Sequence, residues 1–225
     1  NTTGGALADS VGYNSEAMRE IGNIYGIEGG DSKVTATTGV ALVASIGGDT
    51  HAIARVATIR PNTTVTGSSN INVTTGLLTG FALGYNTTSL TEVGVVGDGN
   101  SMQVTGNVDI NITTGEIITG NVGVNTLAET IIGSVHGSQN GDIDIDIILG
   151  GVNTFAIGLS NEGDIYSKTY VGNFLGAGQG GKISVNTGAI YNLGFGLVLD
   201  LGVLGTLKLV EQGCVNMGNV GQSPC

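Results

Sequence analysis

Tryptophan is absent from this chain, aromatic residues of any kind make up only 4% of it, and there are two prolines and two cysteines in 225 residues. Without tryptophan the aromatic platforms on which polysaccharide-active sites hold sugar rings are missing, so a solenoid enzyme acting on polysaccharide is the weakest of the readings. Basic residues are scarce as well, seven against 18 acidic ones for a net charge of −11. The seven (Arg19, Lys33, Arg55, Arg60, Lys168, Lys182 and Lys208) are scattered, with no basic groove and no interleaved aromatics. Nucleic acid and anionic membrane surfaces are disfavoured as partners. Histidine occurs only at His51 and His136, neither of them in a nucleophile-elbow or metalloprotease context, and both read as turn or surface residues. The expectation is a protein that is not an enzyme.

What is abundant is glycine, 41 residues, together with threonine, asparagine, valine and isoleucine in a repeated order. Val65-Thr66-Gly67, Ile71-Asn72-Val73-Thr74-Thr75-Gly76 and Asn86-Thr87 return 39 positions later as Val104-Thr105-Gly106, Ile110-Asn111-Ile112-Thr113-Thr114-Gly115 and Asn125-Thr126. Weaker copies of the hexad start at Val34 and Ile183, and a degenerate one lies around Ile143 to Ile147. With starts at 34, 71, 110, 145 and 183, the steps are 37, 39, 35 and 38 residues. A period of this length marks copies of one supersecondary unit stacked to bury a common core.

Within each hexad apolar and polar residues alternate, which places them on opposite faces of a strand. Ile71 and Val73, Ile110 and Ile112, and Ile145 and Ile147 fall on the dry face; Asn72, Asn111, Asp144 and Asp146 belong to a polar ladder on the wet one. The closing Thr-Gly reads as a site tolerant of positive φ, where a hairpin or bulge turns the chain. Gly47-Gly48-Asp49, Asp98-Gly99-Asn100, Asn140-Gly141 and Glu162-Gly163-Asp164 read as tight turns. The predicted fold is all-β, as stacked β-hairpin repeats in a β-solenoid-like array, with a β-sandwich as runner-up. A short N-terminal helix is expected ahead of it, N-capped by Ser15 with Ala17, Met18 and Ile21 as its apolar stripe, to cover the end of the array. The corresponding divisions are residues 1–32 with the capping helix, 33–210 for the repeats, and 211–225 for a C-terminal tail.

Cys214 and Cys225 sit eleven apart in that glycine-rich tail, without the further ligands a zinc site needs, and a disulfide between them is expected. A disulfide and a first residue other than Met lead to the expectation of an exported mature protein, extracellular or at the cell surface. Asn-x-Thr triplets make Asn72, Asn86 and Asn111 candidate glycosylation sites. No cofactor is called for by any motif. Calcium is the one ion for which residues can be named: Asp142, Asp144 and Asp146 project from one strand face about 7 Å apart, with Asp109 on a neighbouring strand. The competing reading of these acids is a solvated face that discourages mispairing of an isoleucine-rich strand.

From Leu193 the residues Leu193, Phe195, Leu197, Leu199, Leu201 and Val203 alternate with mostly small partners. Glycines and period-two alternation argue for a long strand, or two strands meeting near Gly202 or Gly205, and against a membrane-inserting helix. Large residues on one face and small ones on the other let a second backbone approach closely, and make this strand the candidate assembly element. In its Gly/Thr/Asn/Val repeats and low charge, residues 33 to about 190 resemble repeat-rich microbial surface adhesins and extracellular fibre subunits. The function expected is a secreted structural protein whose partner is itself, polymerised through β-edges. The alternative is an adhesin that binds a glycan or a calcium-bridged ligand through the polar ladder.

Overall fold

The computed structural model describes residues 2–25, 27–60, 63–97, 103–136, 138–139, 141–160, 165–175, 180–200, 206–211 and 213–217. Every element in it is a strand. The opening layer holds β1 (Thr2–Tyr13), β2 (Glu16–Ile21) and β3 (Ile27–Glu28). The next holds β4 (Ser32–Gly48), β5 (His51–Val56) and β6 (Thr64–Val65). β7 (Ser69–Val93) and β8 (Gln103–Val104) follow, then β9 (Val108–Ile132), β10 (Val135–His136) and β11 (Ser138–Gln139). The last layers hold β12 (Asp142–Ser160), β13 (Ile165–Val171) and β14 (Phe174–Leu175), then β15 (Gly180–Thr187), β16 (Ile190–Asp200), β17 (Thr206–Glu211) and β18 (Gly213–Met217).

The layers stack in parallel to make a β-solenoid of about four turns, six strands deep where β1, β4, β7, β9, β12 and β16 follow one another. Each strand takes its neighbours from the turn before and the turn after, so the main sheet runs β1-β4-β7-β9-β12-β16-β17. The register follows the hexads. Val34 pairs with Ile71, Ile71 with Ile110, Ile110 with Ile145 and Ile145 with Ile183, so the degenerate Ile143 to Ile147 segment is a full member of the repeat. The solenoid reading therefore holds over the sandwich, and over hairpins as the stacked unit: the one antiparallel pair among the described strands is β16 with β17.

In each turn the buried residues run 34, 36, 38 and then 41, 43, 45 in β4, and 71, 73, 75 and then 78, 80, 82 in β7. The inward parity slips by one residue at Gly39 and Gly76, so each long strand bends there and continues on a second face. We call the part before the bend the first face, the part after it the second face, and β2, β5 and β13 with the ends of β7 and β9 the third face. The main core lies inside the first face, where Ile71, Ile110, Ile145 and Ile147 pack against Val56, Val93, Ile132 and Val171 from the third.

Two expectations are corrected. Residues 16–21 form no helix but β2, paired in parallel with β5 from Glu16–His51 through Ile21–Val56. Ala17 and Ile21 are buried while Glu16 and Met18 are exposed. Six residues are too few for a helix to hold itself together, whereas the edge of β5 supplies partners for the whole segment. The bend glycines, for their part, are not positive-φ turns. They stack on one another so closely that a Cβ on Gly76 would stand 2.1 Å from the carbonyl oxygen of Gly39, and one on Gly188 would stand 1.9 Å from that of Gly150.

A second glycine column, Gly12, Gly47, Gly84, Gly123 and Gly158, ends the second face, and Gly47, Gly84 and Gly123 in it satisfy both demands at once. Gly123 has φ +155°, and a Cβ there would meet the Gly84 oxygen at 1.7 Å. Two residues on, Asn14, Asp49, Asn86 and Asn125 all take left-handed backbone angles near +50°, the conformation that short polar side chains tolerate best. The Gly47-Gly48-Asp49 turn is thus found where the sequence placed it; Asp98-Gly99-Asn100, Asn140 and Glu162-Gly163-Asp164 lie outside the described residues.

Gly123→Ala is expected to cost about 3 kcal/mol or more, because it adds both backbone strain and a clash with the adjoining turn. Gly4→Ala, where a Cβ meets nothing within 4 Å, is expected to change stability by no more than about 0.5 kcal/mol. Denaturant melts followed by circular dichroism measure both.

Candidate functional site

Three faces carry side chains outward, and they differ in chemistry. On the first face, parallel register turns the hexads into columns: Lys33, Asn70, Asp109, Asp144 and Lys182 in one, Thr35, Asn72, Asn111, Asp146 and Ser184 in the next. This is the polar ladder expected from the alternation. It contains a depression of about 340 Å³ lined by Asn70, Asp109, Asn111, Asp144, Asp146, Lys182 and Ser184.

Asp109 and Asp144 stand directly side by side, one strand spacing apart, with Lys182 beyond. The Lys182 amide donates to Asp144 Oδ1 at 3.1 Å, and the Asp142 amide donates to Asn107 Oδ1 at 3.1 Å. Asp142 precedes Asp144 and Asp146 on the same exposed edge. Among the described residues no group of three or more Asp, Glu, His or Cys is arranged to hold a metal ion. Asn72 and Asn111 are neighbours in this ladder, and the Asn72 amide donates to Asn70 Oδ1. Asn86 lies away from them at the glycine corner, donating to Asp49 Oδ1 at 2.5 Å. Hydrogen bonds from Tyr13 first and then from Asn86 hold the Asp49 carboxyl below the usual carboxylate range. His51 and His136 are in different turns, at the start of β5 and the end of β10, and form no shared site.

The second face is inverted relative to an ordinary half-buried sheet. Its inward columns hold Ala8, Val43, Gly80, Thr119, Thr154 and Asn192, and Ser10, Ser45, Ala82, Asn121, Ala156 and Gly194. Its outward columns hold Asp9, Ala44, Phe81, Gly120, Phe155 and Leu193, and Val11, Ile46, Leu83, Val122, Ile157 and Phe195. Small residues point in because the second and third faces lie close together; a Cβ on Gly80 would touch Thr91 Oγ1 at 3.0 Å.

Along the interior of this thin lobe the threonines form one hydrogen-bonded zigzag. Thr119 donates to Thr91 at 2.8 Å, Thr130 to Thr119 at 2.7 Å, Thr130 and Thr154 lie 2.8 Å apart, and Thr169 donates to Thr154 at 2.9 Å. Asn192 closes it by donating to Thr169 Oγ1 at 2.9 Å. The large side chains are left outside: Leu83 is 38% exposed and Tyr85 52%, and toward the ends Val11 and Tyr191 reach 76% and 65%. The Phe155 ring leans over Gly120 toward Phe81, with ring centroids 6.4 Å apart.

The expected assembly strand is part of this face. Leu193 and Phe195 point outward, Gly194 and Gly196 are buried, and what meets Gly196 is the chain itself: the Ile165 side chain of the third face, with Cδ1 1.9 Å from a Cβ placed there, and the Gly158 carbonyl oxygen of the adjoining turn at 2.8 Å. β16 is paired with β12 along Ile190 to Val198 and with β17 along Phe195 to Asp200, the latter including Leu197 with Leu209 and Leu199 with Leu207. Leu201 and Val203 lie outside the described residues. Cys214 sits in β18, opposite Lys168 of β13; Cys225, and with it the expected disulfide, lies outside them.

On the third face the charges are paired. Glu20, Arg55 and Glu92 occupy one column, with Arg55 Nε 2.5 Å from Glu92 Oε2, Arg55 to Glu20 at 3.3 Å and Arg60 to Glu92 at 3.5 Å. Burial pushes the Glu129 carboxyl above its ordinary value; Lys168 pulls it down and Glu92 adds to the rise.

The inverted second face is the feature that reasoning from sequence missed. Its signal was present, since Leu42, Ile46, Phe81 and Leu83 alternate with Val43, Ser45, Gly80 and Ala82, but alternation alone does not say which set is inside.

Fold and faces together define a parallel β-solenoid with one polar, one apolar and one ion-paired outer face. No protein-family model, curated protein or solved structure matches the chain. Among the described residues no helix is long and apolar enough to cross a membrane.

Thr130→Val keeps the shape of a buried side chain but strips the zigzag of its central hydroxyl, and is expected to cost about 1–3 kcal/mol in denaturant titrations. For Glu129 the folded state holds the proton more tightly than the unfolded chain does. Its contribution therefore favours folding at low pH and is lost as pH rises from about 4.3 through the raised folded value. Glu129→Gln is expected to raise the melting temperature at pH 7 relative to wild type and to narrow that gap at pH 4.

Proposed function

We propose that the chain is a non-enzymatic structural protein, exported to the extracellular side, that self-assembles through β-strand edges into a filament or surface fibre. The observation that carries this reading is the open parallel edge of the first layer: among the described residues β1 pairs only with β4. At the other end, among the described residues, β15 pairs only with β12, and β16 from Ile190 to Gly194 has β12 as its one partner. A parallel solenoid offers at each end the same row of amides and carbonyls that joins its own turns, so a second copy can continue the stack without a new kind of contact. The Ile and Val columns of the first face supply register for such a joint. The β16–β17 hairpin covers the edge over Phe195 to Asp200 and acts as a guard that must be displaced or shared when copies join. The export reading rests on the pair Cys214 and Cys225 in the tail.

The depression in the polar ladder favours a second reading, an adhesin that recognises a glycan or a calcium-bridged ligand there. Unchanged binding to a glycan panel and to calcium after Asp142, Asp144 and Asp146 are all replaced by Asn counts against it.

Electron microscopy of the full chain over a concentration series tests the first reading. Unbranched filaments are expected, with an axial repeat of about 25–30 Å set by five or six layers at ~4.8 Å each. A chain ending before Leu193 is expected to lose normal polymerisation; filaments of normal length from it would show that β16 is not the assembly strand.

A further inference from the structure

The outer surface of the second face is an apolar patch that nothing in the chain covers among the described residues. Its outline follows from strand geometry: six strands at ~4.8 Å and nine residues at ~3.3 Å give roughly 29 Å by 30 Å, about 870 Å², with Asp9, Thr79, Glu116 and Asn153 as its polar positions. Contiguous apolar patches on a soluble monomer stay near 300–600 Å², and a face of this outline with few polar positions is of the order at which such patches mark an interface. It matches the ~800 Å² that each partner contributes to a standard stable interface.

Charge narrows the choice of occupant. The only charged residues on this face among those described are acidic: Asp9 in the first layer, and Glu116 at the bend, where it accepts a hydrogen bond from Asn153 at 2.7 Å. No lysine or arginine is present on it to draw an anionic lipid headgroup. Other acids project elsewhere, Asp109, Asp144 and Asp146 on the ladder and Glu20 and Glu92 in the ion-paired column. Two copies of the second face can therefore meet without opposing those like charges, and a sheet surface dominated by Leu, Ile, Val and Phe can pack on a copy of itself in the way that the inner faces of a β-sandwich do.

We propose that the second face is a lateral homotypic interface, in which two solenoids pack sheet on sheet about 10 Å apart through Leu42, Ile46, Phe81, Leu83, Phe155 and Ile157. The joint is distinct from the edges: edges lengthen a stack, the face pairs two stacks side by side, and the inference shares with the filament reading only that both partners are copies of this chain. Because burial of apolar surface drives it while net charge opposes it, the association strengthens as salt rises.

The test is sedimentation equilibrium of the full chain at concentrations below those that give filaments, in low and high salt, for wild type and for Leu83→Glu/Ile157→Glu. Both positions point outward, so the core is untouched. The expected result is a wild-type dimer tightened by salt and an at least tenfold weaker dimer for the double variant, with an unchanged strand signal in circular dichroism. If the glutamates disturb folding, Leu83→Ser/Ile157→Thr replaces them, with the same weakening expected.

A wild-type chain that stays monomeric to 100 μM (roughly a micromolar-class interface would be dimeric there) overturns the proposal. So does a dimer that the double variant retains, or a monomer that instead floats with phosphatidylcholine vesicles. Microscopy keeps the two readings apart. Dimers without filaments at any concentration refute edge assembly and leave the face standing; thin single filaments from the glutamate variant separate the edge from the face.

Discussion

Close approach of one turn's backbone to the next is the constraint on which this structure depends. Parallel strands must lie ~4.8 Å apart along their whole length, and at the bends, where the chain turns its carbonyls out of the sheet plane, that spacing leaves no room for a Cβ. The columns headed by Gly39 and Gly47 are where the requirement is met, with an oxygen of the adjoining turn 1.7–2.1 Å from the missing atom at Gly84 and Gly76. Each turn is positioned by the one before it, so a side chain introduced at such a site would displace the stack on both sides and not one loop alone. The abundance of glycine and the regularity of the register are two expressions of the same packing.

The bends also decide what each face becomes. At Gly39 and its equivalents the inward parity slips, so a strand that buried Ile71 and Val73 goes on to bury Leu78, Gly80 and Ala82. Beyond the bend the second and third faces are close, and only small side chains fit between them. Threonine is suited to that interior because its volume is small and its hydroxyl can bond to the next threonine, which is how Thr91, Thr119, Thr130, Thr154 and Thr169 are all buried without an unmatched desolvation cost. The displaced large residues have one place left to go, the outside. The apolar face follows from a thin lobe, and a need for partners follows from the apolar face.

An uncharged exterior of this kind is a hazard unless it is covered in a defined way, and the distribution of charge bears on how. Acidic side chains hold the ladder open to water, and the Glu20–Arg55–Glu92 column ties three layers together on the third face. The second face is left nearly free of charge. In the proposed assembly, edge and face give two directions of growth, axial by hydrogen bonds and lateral by apolar burial.

Much of the fold was legible in the chain because register is a sequence property in a solenoid. Steps of 37, 39, 35 and 38 residues between hexads are the offsets at which Val34, Ile71, Ile110, Ile145 and Ile183 pair, and alternation within the hexads put Asn72, Asn111 and Asp146 on one ladder. Local pattern was insufficient at Glu16 to Ile21, where apolar residues at 17, 18 and 21 suit a helix as well as a strand and the waiting edge of β5 decided for the strand. It was insufficient again at the Thr-Gly steps, since a glycine needed for positive φ and one needed for contact with another turn look the same in one dimension. The sequence by itself determined the period, the all-β class and the wet face of the hexads, because these follow from spacing and alternation along a single strand. Tertiary structure alone decided which side of the second face points inward, because that depends on the distance to a strand elsewhere in the turn, and no alternation of large and small residues records that distance.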